Sequence, residues 1–368
     1  MKYQLIPFII ILGVFMTTMQ NFNASAETLK KQQVNPQNQN ISQFKDGKYQ
    51  NPVSWDEPSW IPMLWEFLFG EGERVPKSKP PIQQIDLKNF NSSEQNQLNI
   101  TWVGHSSLMI NINGVKILTD PVFETKVSIL GPTRYNGDAP LNPDELPEID
   151  LVLISHNHYD HLNKYSIQKI KDKTKQFIVP LAVGKLLEEW GVDSSKIKEM
   201  NWWDEFELDK HLKIAATPAQ HFSGRGLFDR NETLWVSYSI ISSSHRVFYS
   251  GDTGYFSGFK EIGEKYGPFD MTFLECGAYD KAWHFVHMMP EEVIQAHQEL
   301  KGNILHPIHW GTFNLAYHDW NDPMKRLSKA ARANNIQIAT PIAGETTIYN
   351  TRIPNDSWWD VKAQAKSE

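Results

Sequence analysis

The chain has 368 residues, 40% of them apolar and 21% charged, and a formal net charge of −7. That is enough for one large domain or two small ones, in the composition of an ordinary globular protein. The negative balance leaves no basic footprint, which argues against nucleic acid as the main partner. The single cysteine, Cys276, excludes an internal disulfide and reads as a core residue after the apolar run Met271–Leu274.

Lys2 precedes an apolar run from Leu5 to Met16, and Ala24-Ser25-Ala26 offers a small-residue cleavage site. That layout is a secretory signal peptide over residues 1–26, with a run too short to span a bilayer comfortably. The expectation is an exported protein, periplasmic or secreted. Residues 27–50, polar and rich in Asn, Gln and Lys, read as a flexible leader. Residues 52–70 crowd together Trp55, Trp60, Ile61, Met63, Leu64, Trp65, Phe67, Leu68 and Phe69. Two readings stand for this stretch. One is peripheral contact with membrane headgroups, against which Glu66, Glu71 and Glu73 weigh at an anionic surface. The other is packing on the folded domain or on a second subunit. Residues 27–96 are thus a leader with an apolar extension, and a domain over 97–368 follows.

Leu98–Val103 reads as a strand, followed by Leu108–Ile112 and Val115–Thr119, joined by the hairpin signal Asn113-Gly114. Leu151–Ile154 is a short apolar run of the buried-strand type, and Leu181–Trp190 reads as a helix. Strands are expected at Leu212–Ala216, Leu234–Ile241, Arg246–Tyr249, Met271–Leu274 and Ile304–Ile308. Helices are expected at Pro290–Leu300, with proline first and Glu291 and Glu292 in the opening turn, and at Asp322–Ala333. Early hairpins followed by strand–helix alternation predict an α/β chain of two sheets with helices outside.

Just past the strand Leu151–Ile154 comes His156-Asn157-His158-Tyr159-Asp160-His161, four ligand-type side chains in six residues. Imidazole and carboxylate together suit zinc and related divalent metals. Three further strand ends carry the same residue types: His221 after Leu212–Ala216, Asp252 after Arg246–Tyr249, and His309 after Ile304–Ile308. The glycines flanking Asp252 allow a tight turn there.

The run His156 to His161 resembles the signature of the metallo-β-lactamase superfamily. Trp102–Ser107, Leu118–Phe123, Pro218–His221, Gly251–Tyr255 and Ile308–Phe313 are similar to segments of the N-acylphosphatidylethanolamine-hydrolysing phospholipase D family. The resemblance covers about residues 97 to 350, and is weaker near Asn51 and Phe67–Gly70. It implies a four-layer αββα sandwich holding two Zn2+ ions per chain. One ion takes His156, His158 and His221, the other Asp160, His161 and His309, and Asp252 bridges them. Two such cations about 3.5–4 Å apart make water nucleophilic at neutral pH. Asp160, Asp252 and His287 are the implied catalytic residues, His287 matching a family histidine near the substrate phosphate. His105 and Asp120 match family positions and read either as partners that orient the metal-binding histidines or as structural residues. His284 is a weaker candidate, and His211, His245, His297 and His318 carry no assigned role. The implied reaction is phosphodiester hydrolysis of a phospholipid with release of phosphatidic acid. Because similar segments occur in lactone-cleaving relatives, a lactonase or soluble phosphodiesterase is the first alternative. A catalytically silent metal-binding module is the second.

Overall fold

The computed structural model describes residues 44–55, 65–66, 70–129, 131–209 and 212–360. The expected signal peptide, His211, and Trp60, Ile61, Met63, Leu64, Phe67, Leu68 and Phe69 of the apolar stretch lie outside the described residues. The described residues open with a two-stranded ribbon, β1 (Phe44–Lys45) and β2 (Lys48–Tyr49). Tyr49 is buried and joins the main apolar cluster. Over residues 44–50 the expectation of a flexible leader is therefore corrected, because an aromatic ring buried against the domain cannot remain mobile; its remainder, residues 27–43, lies outside the described residues.

The strands β3 (Leu98–Gly104), β4 (Ser107–Ile112) and β5 (Val115–Thr119) form an antiparallel meander. Asn113 and Gly114 sit at φ 55° and 87° between β4 and β5, the left-handed backbone that a two-residue hairpin requires. Next, β6 (Ile149–Leu153), β7 (Thr174–Pro180) and β8 (Ile197–Met200) extend that sheet in parallel. The helices α1 (Lys164–Ile170) and α2 (Gly184–Glu189) lie in the crossovers. A second sheet begins with the antiparallel strands β9 (Glu205–Asp209), β10 (Leu212–Thr217), β11 (Ser237–Ser242) and β12 (Arg246–Tyr249). It continues in parallel through β13 (Phe269–Glu275), β14 (Gly302–Ile308) and β15 (Gln337–Ile338). Between these parallel strands run α3 (Gly258–Lys265), α4 (Pro290–Glu299) and α5 (Asp322–Ala333). Finally β16 (Thr346–Ile348) returns to pair with β3. Among the described residues each of these two large sheets has seven strands, in the orders β16-β3-β4-β5-β6-β7-β8 and β15-β14-β13-β12-β11-β10-β9.

Side-chain alternation along the strands separates the layers. Leu151 and Leu153 of β6 belong to the cluster shared by the two sheets, whereas Val152 and the following Ile154 belong to the cluster under Ile167, Ile170 and Leu187 of α1 and α2. On the second sheet Phe248 meets Phe259 of α3 edge-on, with centroids 6.3 Å apart. The helices α1 and α2 cover one sheet and α3 to α5 the other, giving the four-layer αββα sandwich. The order of layers turns one set of strand ends toward a common rim.

Candidate metal centre

That rim gathers the ligand-type residues. The His156–His161 run follows β6, His221 follows β10, Asp252 follows β12 and His309 follows β14. The peptide N–H groups of His161 and Leu162 both donate to His158 O, winding the run into a turn. Arg225 ties it down by donating from Nη1 to Asn157 O and Leu162 O, each at 2.7 Å. Gly251, at φ 56°, leaves no room for a side chain: a Cβ there would stand 2.5 Å from Ser155 Cβ. His105, Asp120 and His309 are non-glycine residues at φ 55°, 36° and 63°. Such backbone is costly and is retained where packing over-determines it, as at functional sites.

The seven expected ligands converge. His156, His158, His221 and Asp252 bring one ligand atom each within 4.8 Å of one another, and so do His105, Asp160, His161 and His309. Asp252 stands between the two groups. Its Oδ2 lies 3.1 Å from His161 Nε2, 3.0 Å from His309 Nε2, 3.8 Å from His156 Nε2 and 3.7 Å from His221 Nε2. Asp160 Oδ2 lies 3.4 Å from both His161 Nε2 and His309 Nε2. His105 Nε2 meets that same oxygen at 2.9 Å. His105 therefore acts on Asp160 from behind, in line with an orienting role.

The far sides of the rings are fixed by partners that decide which nitrogen faces inward. His221 Nδ1 donates to Val286 O at 2.9 Å. His156 Nδ1 lies 2.9 Å from Ser155 Oγ, and His161 Nδ1 lies 2.7 Å from Asp120 Oδ2. Asp120 is itself buried and also accepts from Ser155 N and Tyr249 OH.

The donor set fits a pair of divalent cations. Donors on a tetrahedral zinc, at about 2.0–2.1 Å from the ion, stand about 3.3 Å apart. Here His156 Nε2 and His158 Nδ1 are 2.8 Å apart, and His158 Nδ1 and His221 Nε2 are 3.3 Å apart. Oδ1 of Asp252 is buried with no hydrogen-bond partner among the described residues, and the inward Nε2 atoms of His161 and His309 face the carboxylate oxygens of Asp160 and Asp252. Burial drives the His156 and His221 imidazoles well below the ordinary histidine range and His158 to about 4, keeping their lone pairs available. Burial opposes the charged form of His309 too, but Asp252 and Asp160 outweigh it and hold that ring near 10. The same two carboxylates hold His161 well above its usual value. Cationic charge is what the carboxylates at this centre draw, and metal ions supply it.

His287 joins Asp252 and His309 within 4.8 Å of one another. Its Nδ1 lies 2.8 Å from Glu275 Oε2. Sequence reasoning missed Glu275; the signal was a lone acidic residue closing an apolar strand beside the ligand-bearing strand ends. Of the expected ligands, His156, His161, His221, Asp252 and His309 are buried, whereas His158 and Asp160, like His287, are half-buried, so the centre opens on their side. His284 stands apart, 4.0 Å from Glu292. His245 faces Asp270, His297 meets Thr272 and His318 Nδ1 reaches Asp319 O. Trp202 and Trp358 pack in the core, Trp358 stacked 4.7 Å from Trp310.

The extension is bound to this centre. Asn51 Nδ2 donates to His221 O at 2.7 Å, and His221 N donates to Asn51 Oδ1 at 2.8 Å. Trp55 stacks on Phe285 at 5.8 Å, one residue from Val286, the partner of the His221 ring.

A family model described as a β-lactamase superfamily domain matches residues 115–310. An uncharacterised protein of Mycobacterium tuberculosis is 36% identical over 328 residues, 86% of this chain and 87% of that protein. The N-acyl-phosphatidylethanolamine-hydrolyzing phospholipase D 1 of Caenorhabditis elegans is 32% identical over 316 residues, 78% of this chain and 88% of that enzyme. Among solved structures, a metallo hydrolase of the archaeon Ignicoccus hospitalis superposes with a TM-score of 0.52 at 23% identity. It covers 69% of this chain and 99% of its own, a likeness of fold.

Proposed function

Because the chain belongs to the metallo-β-lactamase superfamily and is a metal-dependent hydrolase of that family, we propose that it is a dinuclear zinc phosphodiesterase acting on phospholipids. The observation that carries this reading is Asp252 Oδ2, which lies within 3.8 Å of imidazole nitrogens from both ligand groups. The relative named as a phospholipase D supports the substrate class.

On this reading His156, His158 and His221 would hold one zinc and Asp160, His161 and His309 the other, with Asp252 shared. Two such ions supply a nucleophilic water at neutral pH and offset charge developing on a phosphoryl group. Asp252 and Asp160 hold the ligand rings in register through the contacts given above. The buried setting of Asp252 strengthens its interactions by excluding bulk water. His287, at the opening, contacts a phosphoryl oxygen through Nε2, its Nδ1 being engaged by Glu275. The phosphoryl group enters past His158, Asp160 and His287, the half-buried side of the centre.

The acyl chains stay outside. Tyr159, Leu227, Phe228 and Phe285 are exposed large apolar residues on the segments that carry the ligands or adjoin them. Among the described residues no helix is long and apolar enough to cross a membrane. Peripheral contact through this rim, extended by Trp55, brings a two-chain substrate to the centre. We assign the N-terminal 26 residues to export.

The reading is tested by offering the zinc-loaded protein bis(p-nitrophenyl) phosphate, then a lipid extract followed by mass spectrometry. Release of p-nitrophenolate and phosphatidic acid supports it. Turnover of lactones with no cleavage of either diester overturns it in favour of the lactonase alternative.

A further inference from the structure

One buried carboxylate at the centre belongs to neither ligand group. Glu275 closes β13 and is fully buried. A carboxylate removed from water is costly unless its oxygens are satisfied, and both of these are. Oε1 accepts from Met288 N at 2.6 Å, and Oε2 lies 2.8 Å from His287 Nδ1. Its own peptide N–H donates to Ser250 Oγ at 3.0 Å, which ties Glu275 to the strand end that delivers Asp252. Of the metal-ligand candidates, His309 has its Nδ1 4.0 Å from Oε2.

His287 sits in the loop between β13 and α4. Its ring centroid is 5.0 Å from that of His221 and 5.3 Å from that of His309. With Nδ1 engaged by Glu275, Nε2 is the ring atom left for a ligand. A loop histidine held at one point can swing about its side-chain torsions. Here one carboxylate grips the ring and the next residue's peptide N–H together, and two attachments on one rigid group remove that freedom.

We propose that Glu275 is a positioning residue for the hydrolytic reaction, fixing the plane of His287 so that Nε2 meets a phosphoryl oxygen of the substrate. This rests on the phosphodiesterase reading. Glutamine in its place offers one acceptor oxygen where two donors must be served, so one attachment is lost while volume is kept.

The test combines kinetics on bis(p-nitrophenyl) phosphate with nitrogen NMR of histidine-labelled, zinc-loaded protein. Glu275→Gln should lower kcat about 10- to 100-fold, the range for partners of active-site groups, with KM little changed and zinc content unaltered. His287 nitrogen signals, assigned by their loss in His287→Gln, should shift in Glu275→Gln. In the His287→Gln background, Glu275→Gln should cost nothing further, because a residue acting through another has no effect once that other is gone. Glu275→Asp, which keeps the charge but shortens the reach, serves if Glu275→Gln fails to fold and should show the same non-additivity. An equal loss in both backgrounds, loss of zinc, or unshifted His287 signals overturns the proposal. Absence of any turnover by the zinc-loaded wild type overturns the phosphodiesterase reading instead, and the His287 signals then still decide whether Glu275 holds that ring.

Discussion

Asp120 Oδ2 lies 2.7 Å from His161 Nδ1, and the Asp120 carboxylate is at the same time the acceptor for Ser155 N and Tyr249 OH. A ring held from behind in this way presents only Nε2 to the centre. Asp120→Asn keeps the shape but turns an amide NH2 toward groups that are themselves donors. Leaving a buried donor unsatisfied costs about 1–3 kcal/mol, and loss of a ligand's orienting partner lowers metal affinity about 10- to 100-fold. The expected outcome is a lower Tm together with weaker zinc binding, read by competition against a chelator. Unchanged zinc affinity in a folded Asp120→Asn protein would remove Asp120 from the support of the centre.

Two ligand groups sharing Asp252 lead to a stoichiometry. Protein purified without chelator and reloaded should carry close to two zinc equivalents per chain. Removing them should lower Tm by at least about 5 °C. A ligand at a hundred times its Kd adds about 2.7 kcal/mol, and each kcal/mol is worth roughly 2–4 °C in a large domain. A plateau at one equivalent after reloading, measured by elemental analysis, sinks the dinuclear reading.

Asp252→Ala tests the bridge directly. Its Oδ2 faces four imidazole nitrogens at 3.0, 3.1, 3.7 and 3.8 Å. Removing it should disturb both metal sites and cut turnover by at least about 10²-fold, while the sheets survive because the residue lies beyond the end of β12. Near-normal activity in a folded, zinc-loaded variant would exclude Asp252 from the centre.

What the sequence made legible was local. His156 to His161 stand within six residues, Asn113-Gly114 forces its own turn, and Pro290 with Glu292 marks the start of a helix whose Glu292 caps Met289 N at 2.8 Å. The strand β9 escaped notice because its alternation, Phe206 and Leu208 between Glu205, Glu207 and Asp209, rests on only two apolar residues, and α1 because its seven residues are too few to show a period. Glu275 and Asn51 were invisible as partners for a different reason. The first acts on a residue twelve positions away across a loop, and the second on one 170 positions away. Neither spacing leaves a periodic trace, since folding alone brings these groups together.

The Asn51 clasp has a measurable consequence. Both polar ends of its side chain are engaged with the backbone of His221. Asn51→Ala leaves that backbone N–H and C=O without this partner at the mouth of the centre. It should cost about 1–3 kcal/mol in stability and weaken zinc binding at the His221 side, measured by denaturant unfolding and by chelator competition. Asn51→Asp keeps the acceptor for His221 N and should lose less. Equal stability of wild type and Asn51→Ala would show that the extension lies on the domain without supporting it.

The last prediction concerns access of lipid. Leu227 and Phe228 are 48% and 71% exposed, in a loop held near the ligand run by Arg225, whose guanidinium lies over Tyr159 at 3.9 Å. Apolar side chains at a loop tip gain by leaving water for a headgroup region, about 25 cal/mol per Å2 of surface covered. Neither residue belongs to a core cluster of the described residues. Leu227→Ser with Phe228→Ser should therefore leave Tm and turnover of bis(p-nitrophenyl) phosphate within about twofold of wild type. Binding to phospholipid vesicles in sedimentation, and activity on lipid in those vesicles, should fall about tenfold or more, since two large side chains carry at least 1.4 kcal/mol between them. Parallel loss on the soluble diester and on vesicles would mean that the loop shapes the centre itself. Full retention of vesicle binding would move the membrane contact elsewhere on the surface.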